Sequence, residues 1–448
     1  MAKLQGPLKQ VLDIRREEFP QALLMFLYFF LVITTFWILK PLKKALFIEF
    51  YDVTGFTLLS WTMDATQAEQ LAKVANMLVA VVAATAFAYF SRSFRRERLT
   101  YIFTGFILAC FAGYVVWLQD PGAGAVWSFY LFGDLYNTLM VASFFAFLND
   151  SVNAESAKRL YGLIGLGGVA GGAVGSTFVT AQIDNLALPT WLIICAAIGV
   201  VVAMSAGLAA RRFEKTGSLP TAPQPRATSE EPAGNAALES ARLVFSSRYL
   251  LSIVAIVGLY EMVSAIMDYQ FTATVAHYLD GPEIGRHFSA VFTVTNIVAL
   301  VVQLFFTSFI MTRFGVGIAL LIMPLMALSG SVAFAFLPVL LVGSFLNTAD
   351  NGFNYSINQS AKEVLYVPTS RTEKYQAKAF IDMFVQRFAK VLAIGVSFGI
   401  TALVSGFDGI RWLSVITAVI LVAWILVVRY AGREFERLSS EQAKQVSG

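Results

Sequence analysis

Two cysteines and two histidines in 448 residues leave little material for disulfide or metal chemistry. Cys110 and Cys195 lie in separate apolar runs without CxxC spacing, which excludes a disulfide framework and a zinc site. His277 and His287 flank one connection with no third ligand nearby, which argues against a metal-dependent enzyme, and neither a metal nor a cofactor is expected. No stretch reads GxxxxGK[ST], so the chain lacks an ATP-driven motor of its own. Charge is scarce as well, at 14% of residues against roughly 25% in a soluble domain. A net charge of +4 carries no nucleic-acid signature, and none is expected as partner.

What fills the chain instead is hydrocarbon: 57% hydrophobic residues, 14% aromatic, and a mean hydropathy of +0.67. A helix crossing a lipid core of roughly 30 Å needs about 20 mostly apolar residues. Such runs recur near 21–47, 69–90, 99–118, 125–148, 160–181, 187–210, 249–275, 288–312, 315–336, 338–360, 379–404 and 409–430. The expected fold is therefore an all-α membrane protein of twelve transmembrane helices. The first run is too long for a signal peptide and lacks a small-residue cleavage site, so it is expected to stay in the mature protein.

Lysine and arginine cluster in alternate connections: Arg92, Arg95, Arg96 and Arg98, then Lys158 and Arg159, then Arg211, Arg212 and Lys215, then Arg371, Lys374 and Lys378. The intervening connections hold Asp120 and Asp184 but no base. Positive-inside bias places both termini in the cytoplasm of a multi-pass inner-membrane protein. The expected organisation is a cytoplasmic N-terminus over 1–20, a six-helix bundle over 21–210, a cytoplasmic linker over 211–246 rich in Pro, Ser and Ala, a second bundle over 247–430, and a cytoplasmic C-terminus over 431–448. That is the layout of a two-bundle secondary transporter.

An ionisable residue inside a span costs about 2.5–3.5 kcal/mol at the helix centre, so such residues are informative. Lys40, Lys43 and Lys44 follow the first run at i, i+3 and i+4, on one helical face. Either they snorkel to the outer interface, helped by a helix break at Pro41, or they wall a cavity that accepts an anion. In the eleventh run Asp382, Gln386, Arg387 and Lys390 form a polar stripe, with Lys390 roughly 20 Å in from a helix start near 377. Arg387 either binds an anion or ties helices by pairing with a carboxylate. Asn347, Asn351, Asn354 and Asn358 repeat with helical period in the tenth run, as an amide face that binds a ligand or glues helices. Asp134, Glu261 and Asp268 are either proton carriers or counter-ions for the lysines. Gly168, Gly171, Gly172 and Gly175 give small-xxx-small spacings for close helix packing, since no strand or Walker lysine accompanies them.

Three segments resemble the nucleotide transporters of plastids and obligate intracellular bacteria, the ATP/ADP antiporter family. These are FFAFLNDSVNAESAKRLYGLIGLGG, YSINQSAKEVLYVP followed by KYQAKAFIDMFVQRFAK, and ILKPLKKALF. The SRSFRRER loop is also similar to the basic loop of major facilitator proteins. The resemblance implies a major facilitator-like pair of six-helix bundles that exchanges nucleotides, or moves them with protons, by alternating access. It is carried by matching types at Lys43, Asn149, Tyr355, Lys362, Glu363, Lys378, Asp382, Arg387 and Lys390, with Asp134 in place of the family's glutamate and Lys40 in place of its arginine. Lys44 replaces an aspartate, and Thr272 and Asn354 each replace a lysine.

The expected substrate-binding set is Lys40, Lys43, Lys44, Asn149, Asn354, Tyr355, Asn358, Arg387 and Lys390, with Tyr136, Tyr260 and Tyr269 available to stack on a ring. Asp134, Glu261, Asp268 and Asp382 are coupling or counter-ion candidates. Asp150, Lys158, Arg159, Lys362 and Glu363 are candidates for gating or a cytoplasmic salt bridge. The expected partners are the bilayer and a small anionic substrate, nucleotide-like or a smaller phosphorylated metabolite, handled by a monomer. A carrier of another anionic solute, or of an amphiphile with an anionic headgroup, is the alternative.

Overall fold

The computed structural model describes residues 19–94, 96–151, 154–215, 242–370, 373, 377–378, 380–404 and 406–447. Among them, ten helical stretches are long and apolar enough to cross a membrane. One of the ten, Pro282–Phe336, covers two expected spans, because Gly315 breaks it at φ 85° and ψ 170°, a conformation that a side chain disfavours. The expected tenth span, over 338–360, falls outside the ten; its helical path runs Leu340–Phe353 and Gln359–Val364 with a π-turn between them. The helical path therefore follows the expected runs, and the fold is that of an all-α membrane protein.

Tertiary contacts divide the chain into two compact units, Met1–Ala227 with Asp280–Asn296, and Thr228–Leu279 with Ile297–Gly448. The first unit contains α1 (Phe19–Thr54), α2 (Ala65–Ser93), α3 (Arg96–Trp117), α4 (Ala123–Ser151), α5 (Ala154–Gln182) and α6 (Leu188–Lys215). It also contains the first part of α8 (Pro282–Val301). α1 runs unbroken through Pro41, so the helix break that would have helped the lysines snorkel is absent. Between α1 and α2 lies an unexpected antiparallel ribbon, β1 (Phe56–Leu58) and β2 (Trp61–Met63). Phe56 anchors it against the rings of Tyr51 and Trp127. α2 then starts on a capping box, with Asp64 and Gln67 each accepting from the other's backbone N–H.

The glycines of α5 do what their spacing predicts. A Cβ built at Gly175 would lie 2.6 Å from the Thr34 carbonyl oxygen, and one at Gly171 would overlap the Phe30 carbonyl. Thr34 donates its hydroxyl to the Gly171 carbonyl at 3.2 Å, so α1 and α5 meet backbone to backbone.

The second unit is built from α7 (Arg248–Tyr278), α9 (Thr307–Phe336), α10 (Leu340–Phe353), α11 (Gln359–Val364), α12 (Gln386–Leu403) and α13 (Phe407–Ser447). Its core gathers Ile253, Ile256, Phe334, Leu346, Leu421 and Trp424. Gln270 ties α7 to α13 by donating to the Ile410 carbonyl at 3.0 Å and to the Ser414 hydroxyl at 2.8 Å. Three single π-turns interrupt the helical path, at Val302–Phe306, Asn354–Asn358 and Ile381–Val385. Such insertions often mark functional positions, and two of the three contain residues singled out above.

Candidate functional site

In the first unit three helices bring six ionisable side chains into one buried group. Lys43 and Lys44 of α1 are each only 5% exposed, which rules out snorkelling along lipid for both. The Lys43 ammonium lies 2.6 Å from Asp134 Oδ1 of α4, faces the Tyr130 ring at 4.6 Å, and donates to the Tyr130 carbonyl at 3.4 Å. Asn76 of α2 donates to the second oxygen of Asp134. Lys44 lies 3.5 Å from Glu69 of α2, and Lys73 lies 2.9 Å from the other oxygen of the same carboxylate. The Tyr130 hydroxyl donates to Glu69 at 2.7 Å. Lys40 stands over the rings of Trp37 and Phe292, at 4.3 and 4.8 Å.

Glu69, Lys73 and Asn76 are the residues that sequence reasoning missed. Their i, i+4, i+7 spacing marks one face of α2, the signal that would have found them. Asn149, by contrast, is exposed near the end of α4, about 22 Å along the helix from Asp134, so it is not part of this group. Tyr136 belongs to the core rather than to a stacking site: it packs on Phe111 and donates to the Val32 carbonyl. Fully buried Tyr269 is likewise no stacking surface.

The second unit carries a mixed set. Lys390 lies 3.2 Å from Glu261 of α7. Lys362 stands 4.7 Å over the Tyr260 ring, which is itself buried and packed on Trp424. Glu363 takes both its hydrogen bonds from Lys378, at 2.7 and 2.8 Å. Arg387 has no ion pair among the described side chains, which do not include that of Asp382. Asp350, 2% exposed, accepts from Ser264 at 2.7 Å and is a buried acid within the asparagine-rich stretch.

The π-turn at Asn354–Asn358 shapes the amide face. Asn358 donates to the Asn354 side chain at 3.1 Å, and Asn351 donates to the Asn347 carbonyl. The side-chain oxygens of Asn347 and Asn358 are buried without a hydrogen-bond partner among the described residues, which leaves two acceptors available. Tyr355 is 44% exposed. Asp268 is half-buried on α7, one side chain among several polar ones there. The side chains of Asp150, Lys158, Arg159 and Asp382 lie outside those described.

One stability consequence follows within this unit. Lys390→Met leaves the Glu261 carboxylate, 11% exposed at its side chain, without its ammonium, and is expected to cost about 1–3 kcal/mol. Adding Glu261→Gln should recover most of that loss, as read by thermal melting of the purified protein.

A sequence profile described as TLC ATP/ADP transporter matches residues 125–340 and 335–435, well over half of the chain. The chain belongs to this family. It is 23% identical over 349 residues to the chloroplastic ADP,ATP carrier protein 1 of Arabidopsis thaliana, covering 71% of this chain and 56% of that one. The chain thus spans about half the length of the plant relative. It is 23% identical over 359 residues to ADP,ATP carrier protein 3 of Rickettsia conorii, covering 70% and 72% of the two chains. The likeness to ADP,ATP carrier protein 1 of Chlamydia muridarum is 22% over 372 residues, covering 75% and 70%.

Among solved structures, a POT family transporter in complex with 5-aminolevulinic acid matches with a TM-score of 0.63 at 10% identity, over 93% of this chain and 96% of that one. The nucleoside transporter NupG matches with a TM-score of 0.61 at 14% identity, over 92% and 99%. At such identities the likeness is one of fold, here the major facilitator type. The TLC family is one of ATP/ADP transporters, and this chain is a member of it. Its lysine group on α1 and α2 lies ahead of the matched residues, so the reading of that group rests on geometry.

Proposed function

We propose that this chain is a secondary transporter that moves a nucleotide, or a nucleotide-like phosphorylated metabolite, across the bacterial cytoplasmic membrane by alternating access. Its bundles are 21–210 and 247–430, both termini are cytoplasmic, and it works as a monomer by exchange or proton coupling. The observation that carries the reading is the first unit's lysine group. Lys40, Lys43, Lys44 and Lys73 outnumber Asp134 and Glu69, and the burial of Lys43 and Lys44, each 5% exposed, makes their ammonium groups costly without an anion. A phosphate that enters such a group gains charge-assisted hydrogen bonds in a poorly hydrated setting, where each is stronger than in water. The printed names of the plant, Rickettsia and Chlamydia relatives, all ADP,ATP carriers, support the same substrate class. The second unit has cations of its own, Lys390 and Arg387, and hydrogen-bonding groups on Asn358, Asn354 and Tyr355.

Nucleotides should raise the melting temperature of the detergent-solubilised protein, and the matching nucleosides should not. A ligand at about 100 times its Kd stabilises by about 2.7 kcal/mol, a shift of several degrees. Equal shifts by nucleosides and nucleotides, or stabilisation by dicarboxylates alone, would count against the reading.

A further inference from the structure

Glu69 has no place in the reading above beyond lowering the net charge of the lysine group, yet it is the most completely enclosed carboxylate there, at 0% exposure. One of its oxygens accepts the Tyr130 hydroxyl at 2.7 Å and lies 3.5 Å from the Lys44 ammonium. The other lies 2.9 Å from the Lys73 ammonium, one turn along the same helix. A structural tie between α1 and α2 would need one lysine. Here one carboxylate is shared by two, and Tyr130 fixes its position from α4.

The exposures differ in a useful way. The Lys73 side chain is 24% exposed while that of Glu69 is 1% exposed, so the ammonium bridges the buried carboxylate and accessible space. An anion that approaches Lys73 meets a cation already partly neutralised from behind. Lys44, only 6% exposed at its side chain, is shared between Glu69 at 3.5 Å and the Phe288 ring at 5.2 Å. Asp134 does not stand in the same relation, because its two described partners are one lysine, Lys43, and a neutral amide, Asn76.

We propose that Glu69 is a specificity-determining residue that sets how much negative charge the first unit accepts, its carboxylate competing with the substrate for Lys44 and Lys73. Each charge at this position counts against one charge on the ligand. The assignment rests on the nucleotide-transport reading and deepens it, because it concerns the choice among phosphorylation levels of one nucleotide. Neutralising Glu69 favours the more highly charged ligand, and neutralising Lys73 favours the less charged one. A residue that only held helices together would weaken all ligands alike.

The test is competition by AMP, ADP and ATP against a labelled nucleotide on the purified full-length chain, in magnesium-free buffer so that phosphate charge is unmasked. Glu69→Gln is expected to move the ratio of ATP to AMP affinity toward ATP by on the order of tenfold, the worth of one charge-assisted contact. Lys73→Gln is expected to move the same ratio toward AMP. Unchanged ratios in both variants, or shifts of the same sign, would overturn the assignment while leaving nucleotide transport standing. A wild-type protein that binds none of the three overturns both. If Glu69→Gln does not fold, Lys73→Gln decides alone, since its ratio either moves toward AMP or contradicts the proposal.

Discussion

Lys43→Ala is expected to lower substrate transport by on the order of a hundredfold while leaving the protein folded. The Lys43 ammonium is the inner member of the lysine group, 2.6 Å from Asp134 and packed on the Tyr130 ring. Removing a desolvated charge that meets a phosphate forfeits a charge-assisted contact and leaves Asp134 facing the substrate, so attraction turns into repulsion. Breaking a fully buried pair costs about 3–5 kcal/mol, but the Asp134 side chain is 41% exposed and still receives Asn76, so water screens most of that penalty. The double variant Lys43→Ala with Asp134→Ala should regain the wild-type melting temperature and remain inactive. A gentler probe comes from Gly133, where a built Cβ would lie 2.6 Å from the Lys43 Cδ. Gly133→Ala should push the lysine stem aside and cut transport without removing any charge. Normal uptake in Lys43→Ala would separate the lysine group from the substrate path.

Gly171→Leu is expected to abolish folding. The Phe30 backbone occupies the space that a side chain at Gly171 would need, and backbone cannot yield as a side-chain tip does. Overpacking at such a contact exceeds the usual cost of about 1–3 kcal/mol, because α1 would have to separate from α5 along several turns. The contrast lies on the same helix: a Cβ at Gly165 meets nothing within 4 Å. Gly165→Leu should therefore express and elute as wild type in size-exclusion chromatography, while Gly171→Leu yields aggregate or no protein. Equal behaviour of the two would mean that the α1–α5 approach is not as close as described.

Much of the fold was legible because lipid leaves few choices. Runs of about 20 apolar residues and alternating basic connections gave the helices, and the glycine spacing of α5 identified its close approach. The glycine break at Gly315, at φ of 85°, falls on the first residue of the expected ninth span. The ribbon at Phe56–Met63 was not legible, since its strands are three residues each and carry no alternation long enough to read.

The intramembrane cations of α1 and α12 stood out against an apolar background, and Lys43 and Lys390 each have an acid that the sequence had put forward, Asp134 and Glu261. Glu69 and Lys73 did not stand out, because they open the second span, where charge is ordinary at a helix end. Only burial distinguishes Glu69 from an interfacial residue. The π-turns were invisible for another reason: an i→i+5 bond has no composition signature. Tyr136 and Tyr269 illustrate the opposite error, since an aromatic near a candidate cation is more often core than ligand-facing.

The central claim is that an anionic nucleotide crosses the membrane through this protein, and vesicle uptake measures it directly. Full-length protein reconstituted in liposomes should take up labelled nucleotide saturably, with unlabelled nucleotide inside or a proton gradient revealing the coupling, and Lys43→Ala vesicles should take up no more than empty ones. Saturable uptake of a nucleoside or a dicarboxylate but of no phosphorylated compound, or uptake equal in wild type and Lys43→Ala, would contradict the account.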